Sequence, residues 1–214
     1  MGISFKNVSY RYKDENVTAQ LGLDDVTLEL TEGRMIALLG APGSGKSTLL
    51  QHLNGLLVPD QGRIHILDFT MDSQAASDVP NELRRRVGLV FQYPESQLFE
   101  ATVEKDLLFG PLNFGATEAE ASQAALIAAE AIGLDAAVLT KNPFELSSGQ
   151  MRKAAVAAVL ASDPDILVLD EPTASLDPAS RIELMQMLHN LCQQHGKTII
   201  VITHRLEESI SYAD

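Results

Sequence analysis

Gly40-Ala-Pro-Gly-Ser-Gly-Lys46-Ser47 fits the spacing G-x-x-x-x-G-K-[ST] and follows directly on an apolar run, Met35-Ile-Ala-Leu-Leu39, that reads as a buried strand. Glycines at these positions permit a tight backbone curl whose N–H groups converge on phosphate oxygens. A helix starting near Gly45 would add the positive end of its dipole. Lys46 would neutralise the β/γ oxygens of a nucleotide and Ser47 would hold Mg²⁺, so the phosphate-binding residues are Gly40, Ala41, Pro42, Gly43, Ser44, Gly45, Lys46, Ser47 and Thr48. A second chemical element lies far along the chain, where Ile166-Leu-Val-Leu169 runs into Asp170-Glu171-Pro172. In a doubly wound fold, carboxylates at the carboxyl edge of a buried parallel strand sit where ligands bind. Asp170 would take the metal, and Glu171 would orient and polarise an attacking water, since phosphoryl transfer depends mainly on placement and charge neutralisation. His204 follows the apolar strand ending at Ile202 and would emerge at the same edge, within reach of a γ-phosphate.

Elements of the right kind to position these groups can be read around them. Alternating apolar positions at Ile3, Phe5 and Val8, then Val26, Leu28 and Leu30, predict short antiparallel strands at the N-terminus. A helix follows from Ser47 through Gly55, with strands over Arg63–Leu67 and Arg86–Phe91. Between Tyr93 and Leu160 the character becomes helical: an Ala- and Glu-rich helix over Thr117–Ile132 with Thr117 as N-cap, then another from about Gly149 to Ala161. Strands at Ile166–Leu169 and Thr198–Ile202 with a helix from about Pro178 to Gln194 between them predict β-α-β winding and a parallel sheet.

Composition narrows the function classes. The 214 residues carry a net charge of −13, which argues against a nucleic-acid-binding surface. The single cysteine, Cys192, cannot pair within the chain and reads as a packed small residue. No signal-peptide pattern opens the chain and no apolar run approaches the ~20 residues of a membrane span, so the expectation is a cytoplasmic chain that reaches a membrane only through a protein partner.

Leu146-Ser147-Ser148-Gly149-Gln150 stands some twenty residues before the acidic pair and resembles the L-S-G-G-Q signature of ATP-binding cassette (ABC) ATPases. The resemblance covers essentially the whole chain. It implies an α/β P-loop fold with a parallel RecA-like core sheet, an N-terminal antiparallel β subdomain and an inserted helical subdomain. As one ABC domain, residues 1–93 and 161–214 would form the nucleotide-binding core and 94–160 the helical part. It also implies Tyr12 as the aromatic that stacks on adenine, Gln92 as the Q-loop glutamine and a further Mg²⁺ ligand, Ala174-Ser-Leu-Asp177 as the D-loop and His204 as the switch histidine. Ser147, Gly149 and Gln150 would close in trans over ATP held by a second subunit. The run Val90-Phe-Gln-Tyr-Pro-Glu-Ser-Gln-Leu-Phe-Glu-Ala-Thr-Val103, followed by Phe109-Gly-Pro-Leu-Asn-Phe-Gly115, is similar to the ATPases of energy-coupling-factor (ECF) vitamin and cobalt importers, more to the second of the two paralogues.

That resemblance implies ATP and Mg²⁺ as cofactors, a second ABC ATPase (a paralogue or a copy of itself) as partner, and a seat at the cytoplasmic face of the membrane. A transmembrane T-component would dock in a groove near Gln92–Phe99, and an S-component that captures the substrate would be contacted only indirectly. Two departures are visible. Ser148 replaces a signature glycine, implying a weaker composite site, and the chain stops at Asp214, soon after the switch histidine, implying weaker constitutive pairing. Two other readings fit less well. A soluble ABC ATPase of repair or translation would need a long coiled-coil insertion or a second cassette, and a non-catalytic nucleotide-binding module would have lost Lys46, Glu171 or His204.

Overall fold

A computed structural model of the chain describes residues 2–14, 17–74, 79–93 and 97–213. They divide into two compact units, one of Met1–Glu32 and Gly40–Arg84 and the other of Gly33–Leu39 and Arg85–Asp214.

In the first unit, β1 (Ile3–Asp14) and β2 (Val17–Leu30) pair antiparallel with Ile3 opposite Leu30 and Phe5 opposite Leu28. Ile3, Phe5 and Val8 are fully buried, so the alternation read from the sequence does select one face, although the strands are long rather than short. β4 (Gln61–Ile66) and β5 (Phe69–Asp72) complete an antiparallel sheet in the order β2-β1-β4-β5. The helix α1 (Lys46–Leu53) also belongs to this unit and buries Thr48, Leu49, Leu50, His52 and Leu53. A short helix, α2 (Asn81–Arg86), leads toward the second unit along the chain.

The second unit holds a parallel sheet in the order β3-β8-β7-β6, made of β3 (Met35–Leu39), β6 (Val87–Val90), β7 (Ile166–Asp170) and β8 (Thr198–Thr203). β6 and β8 are buried along their whole length and β7 except at its last residue, as expected of parallel strands covered on both faces. β3 departs from the expected burial: Met35 is buried but Leu39 is exposed. Between β7 and β8 runs α6 (Pro178–His195), started by Asp177, whose carboxylate accepts from the N–H groups of Ala179 and Ser180, and ended by Gly196. α3 (Val103–Asn113), α4 (Glu118–Ala131) and α5 (Ser148–Leu160) form the helical part, and α7 (Leu206–Ile210) follows β8. Thr117 caps α4, as its sequence predicts, and the structure adds a reciprocal pair with Glu120. One apolar core joins these helices to the sheet, with Leu107, Ile132, Val156, Leu167, Leu169 and Ile199 at its centre. Cys192 is packed into it, 3% exposed and in no disulfide among the described residues.

Candidate functional site

The chain leaves β3 at Leu39 and enters the glycine-rich loop at Gly40. Gly45 has φ +89°, a conformation that favours glycine, and a Cβ there would meet the Gly22 carbonyl oxygen at 2.6 Å. It is also the N-cap of α1, with no side-chain cap and no acidic residue in the first turn. The helices α4, α5 and α6 are instead capped by Thr117, Ser147 and Asp177. The leading N–H groups of α1 thus lack a side-chain cap and carry the positive end of the helix dipole, an arrangement suited to an anion. Lys46 Nζ donates to Gly40 O at 2.8 Å, Ala41 O at 2.7 Å and Ser44 Oγ at 3.2 Å, so its ammonium lies over the loop. Ser47 is exposed beside it. In the same unit, the Tyr12 hydroxyl lies 3.0 Å from Thr48 Oγ1 and its ring is 37% exposed.

Glu171 is the focus of the second unit. Val90 pairs with Leu169, and Asp170 with Ile202, so β6, β7 and β8 all end at one edge, and Gln92, Glu171 and His204 leave from it. Gln92 Nε2 donates to Glu171 Oε2 at 3.1 Å, and His204 Nδ1 donates to Oε1 at 3.0 Å. Both carboxylate oxygens are thus oriented by a side chain from a neighbouring strand end. The backbone of Glu171 sits in the left-handed region with φ +45°, while its N–H still bonds Ile202 O at 2.9 Å. That geometry costs a non-glycine residue about 1–2 kcal/mol and turns the side chain out of the strand's alternation. Asp170, half-buried, ends the strand.

Two residues that sequence reasoning missed hold the Gln92 segment. Arg152 on α5, 4% exposed, donates to Gln92 O at 2.6 Å, Phe91 O at 3.3 Å and Ala174 O at 3.4 Å. Gln97 accepts from Phe91 N at 2.9 Å and donates to Leu89 O at 3.1 Å. Arg152 follows Ser148-Gly-Gln-Met151 and precedes Lys153 in the polar first half of α5, so no local signal set it apart. Ser147 caps α5, accepting from Gln150 N at 3.3 Å while Gln150 Oε1 accepts from Ser147 N at 3.2 Å. Ser148 is exposed at the first helical position and lines a cavity of about 410 Å³ with Gln92, Tyr93, Met151, Ala174 and Ser175.

The expected groove near Gln92–Phe99 needs a correction at Leu98, which is 2% exposed because it belongs to the apolar core that also holds Val103 and Leu107 of α3. Pro94 lies outside the described residues. The exposed aromatics here are Tyr93 and Phe99, the latter edge-to-face with the exposed Phe109 at 4.8 Å. Asp106 Oδ1 fixes the Phe99 segment by accepting from Phe99 N at 3.1 Å and Glu100 N at 3.2 Å. Burial pushes the Asp106 carboxyl above its usual value, partly offset by these bonds. Among the described residues no helix is long and apolar enough to cross a membrane.

The family profile described as "ABC transporter" matches residues 23–174, and one described as an AAA domain, putative AbiEii toxin, matches residues 140–210. The chain is 48% identical over 214 residues to the energy-coupling factor transporter ATP-binding protein EcfA2 of Latilactobacillus sakei, covering 100% of this chain and 74% of the relative. It is 48% identical over 212 residues to EcfA2 of Lactococcus lactis, covering 99% and 73%. Among solved structures, cbiO1 from Clostridium perfringens, part of the ABC transporter complex cbiONQ, superposes with a TM-score of 0.87 at 35% identity, covering 99% of this chain and 82% of that one. The dimeric structure of MJ0796, a bacterial ABC transporter cassette, superposes with a TM-score of 0.83 at 27% identity, covering 99% and 91%.

Proposed function

The chain belongs to the ABC transporter ATPases, among the energy-coupling factor transporter ATP-binding proteins, and on that basis we propose that it binds and hydrolyses MgATP to power uptake of a vitamin or a transition-metal ion. It works as an ATPase subunit paired with a second ATPase at the cytoplasmic face of the membrane, beneath a T-component. Residues 1–93 and 161–214 bind nucleotide, and residues 94–160 carry the signature and meet the membrane partner.

The observation that carries this reading is Glu171, whose two oxygens are oriented by Gln92 and His204. A carboxylate so fixed is suited to accept a proton from a water aimed at a γ-phosphate. Lys46 and the N–H groups of residues 43–48 bind the phosphate oxygens, which replace Gly40 O and Ala41 O as acceptors for Nζ. The residues that the family pattern assigns to Mg²⁺, Ser47, Asp170 and Gln92, each offer an oxygen, the donor type that suits a hard cation. When bound, Mg²⁺ neutralises charge on the β- and γ-phosphates. Gln92 gives its Nε2 to Glu171 and keeps its Oε1 for the ion, so one side chain would report on both. Tyr12 stacks on adenine, and Ser147, Gly149 and Gln150 act on the nucleotide of the partner subunit.

The test is MgATP binding and turnover by wild-type and Lys46→Ala chains assembled with the second ATPase. Removing the ammonium should weaken MgATP binding by at least ~10-fold and abolish turnover, the loss of a charge-assisted contact. Equal binding by the two would contradict the assignment of the loop.

A further inference from the structure

Tyr10 and Tyr12 on β1 meet edge to face, with ring centroids 5.1 Å apart and planes at 88°. Tyr10 meets His52 of α1 in the same way, at 5.0 Å and 82°. His52 is fully buried, and its Nδ1 lies 2.7 Å from the carbonyl oxygen of Thr48, one helical turn back. A carbonyl only accepts, so Nδ1 carries the proton. Burial holds the imidazole below its usual pKa and keeps it neutral. Thr48 Oγ1 then lies 3.0 Å from the Tyr12 hydroxyl. The contacts close on themselves: Tyr12 to Tyr10, Tyr10 to His52, His52 to Thr48, Thr48 to Tyr12.

Gly22 lies against this ring. Tyr10 pairs with Leu23 and Arg11 with Leu21, so Gly22 is the extra residue of a bulge in β2. A Cβ there would come within 3.0 Å of Thr48 Cγ2, 3.1 Å of Tyr12 Cε2 and 3.2 Å of Tyr10 Cδ1, closer than such contacts ordinarily run. On its other side, its carbonyl oxygen is the atom that a Cβ on Gly45 would strike at 2.6 Å. One bulge therefore abuts the aromatic ring system and the start of the phosphate-loop helix together, and bulges with glycine mark such close approaches.

We propose that the Tyr12–Tyr10–His52–Thr48 ring and the Gly22 bulge fix Tyr12 relative to the phosphate loop, making Tyr10, Gly22 and His52 positioning residues for the nucleobase. None of the three belongs to the residues assigned to phosphate or metal. Their effect is on how much tighter the site holds a purine nucleoside triphosphate than the bare triphosphate chain. The inference rests on the assignment of Tyr12 as the adenine-stacking residue.

The experiment measures, by titration calorimetry on the 214-residue chain, the ratio of Kd for Mg-tripolyphosphate to Kd for MgATP. Gly22→Ala and His52→Ala should each lower that ratio roughly three- to tenfold, the equivalent of one aromatic edge contact or hydrogen bond, with tripolyphosphate affinity unchanged. Tyr10→Phe, which keeps the ring, should retain the wild-type ratio, and Tyr10→Leu should not. If Gly22→Ala and His52→Ala weaken both ligands equally, they only support the loop and the inference fails. If Tyr12→Leu leaves the ratio unchanged, adenine stacking itself is wrong. If Tyr12→Leu lowers the ratio and the positioning variants do not, only the inference is wrong. Should His52→Ala fail to fold, Gly22→Ala and Tyr12→Phe, which loses one hydroxyl bonded to Thr48, decide the matter by the same ratio.

Discussion

Replacing Glu171 with glutamine exchanges one carboxylate oxygen for an NH₂ group and removes the charge, in a site where both oxygens already accept hydrogen bonds. Gln92 Nε2 reaches Oε2 at 3.1 Å and His204 Nδ1 reaches Oε1 at 3.0 Å. An amide offers one acceptor, so one of these two donors must turn away or face another donor. A hydrogen bond to a charged group contributes about 1.5–3 kcal/mol, and the proton acceptor for water is lost as well. A fall in turnover of at least ~10²-fold follows, which corresponds to about 2.7 kcal/mol at 1.36 kcal/mol per decade. The phosphate contacts of Lys46 and the loop are untouched, so MgATP affinity should stay near wild type and nucleotide should be trapped in a persistent dimer. The assay is steady-state turnover of the reconstituted complex, with filter retention of labelled nucleotide. A Glu171→Gln variant keeping more than about a tenth of wild-type turnover would remove Glu171 from the role of base.

Further expectations concern the surface and the signature. Tyr93→Glu or Phe99→Glu should uncouple substrate uptake from ATP binding in proteoliposomes, leaving binding intact, because both side chains are exposed. Leu98→Glu, by contrast, should lower the melting temperature sharply, since it buries a charge in the core at a cost of several kcal/mol. Ser148→Gly should speed hydrolysis several-fold, up to ~10-fold, of the nucleotide bound by the partner and leave hydrolysis of the nucleotide bound by this chain almost unaffected; heterodimers with one catalytic glutamate disabled at a time report this, and an effect confined to this chain's own nucleotide would refute action in trans. Asp106 has a raised folded-state pKa, so its stabilising contribution is complete at low pH and is lost as pH rises through that value. Asp106→Asn, which keeps an acceptor for Phe99 N and Glu100 N, should flatten this dependence in thermal melts, whereas Asp106→Ala should cost about 1–3 kcal/mol by orphaning both N–H groups.

What the sequence revealed follows from how local each signal is. The glycine-rich loop, Thr117 as the N-cap of α4 and the apolar strand before Asp170-Glu171 all announce themselves within a few residues, and all were legible. α3 was not, because Gly110 and Pro111 interrupt it; the helix tolerates them where a Cβ on Gly110 would strike Ser162 Oγ at 2.4 Å. β5 is only four residues long and follows Leu67, whose positive φ no local pattern foretells. The surroundings of Glu171, Arg152 and Leu98 depend on partners 22 to 79 residues distant or on burial by helices elsewhere in the chain, so spacing alone could not disclose the left-handed backbone of the first, the carbonyl clamp of the second or the burial of the third. The Gly22 bulge is hidden for the same reason, since it is defined by register against β1.

The most direct test of the central claim is the composition of the complex recovered with the affinity-tagged chain from detergent-solubilised membranes, measured by native mass spectrometry. The account predicts an assembly containing two ATPase cassettes and a polytopic membrane subunit in fixed stoichiometry. Recovery of the chain alone, or with soluble proteins only, would contradict it.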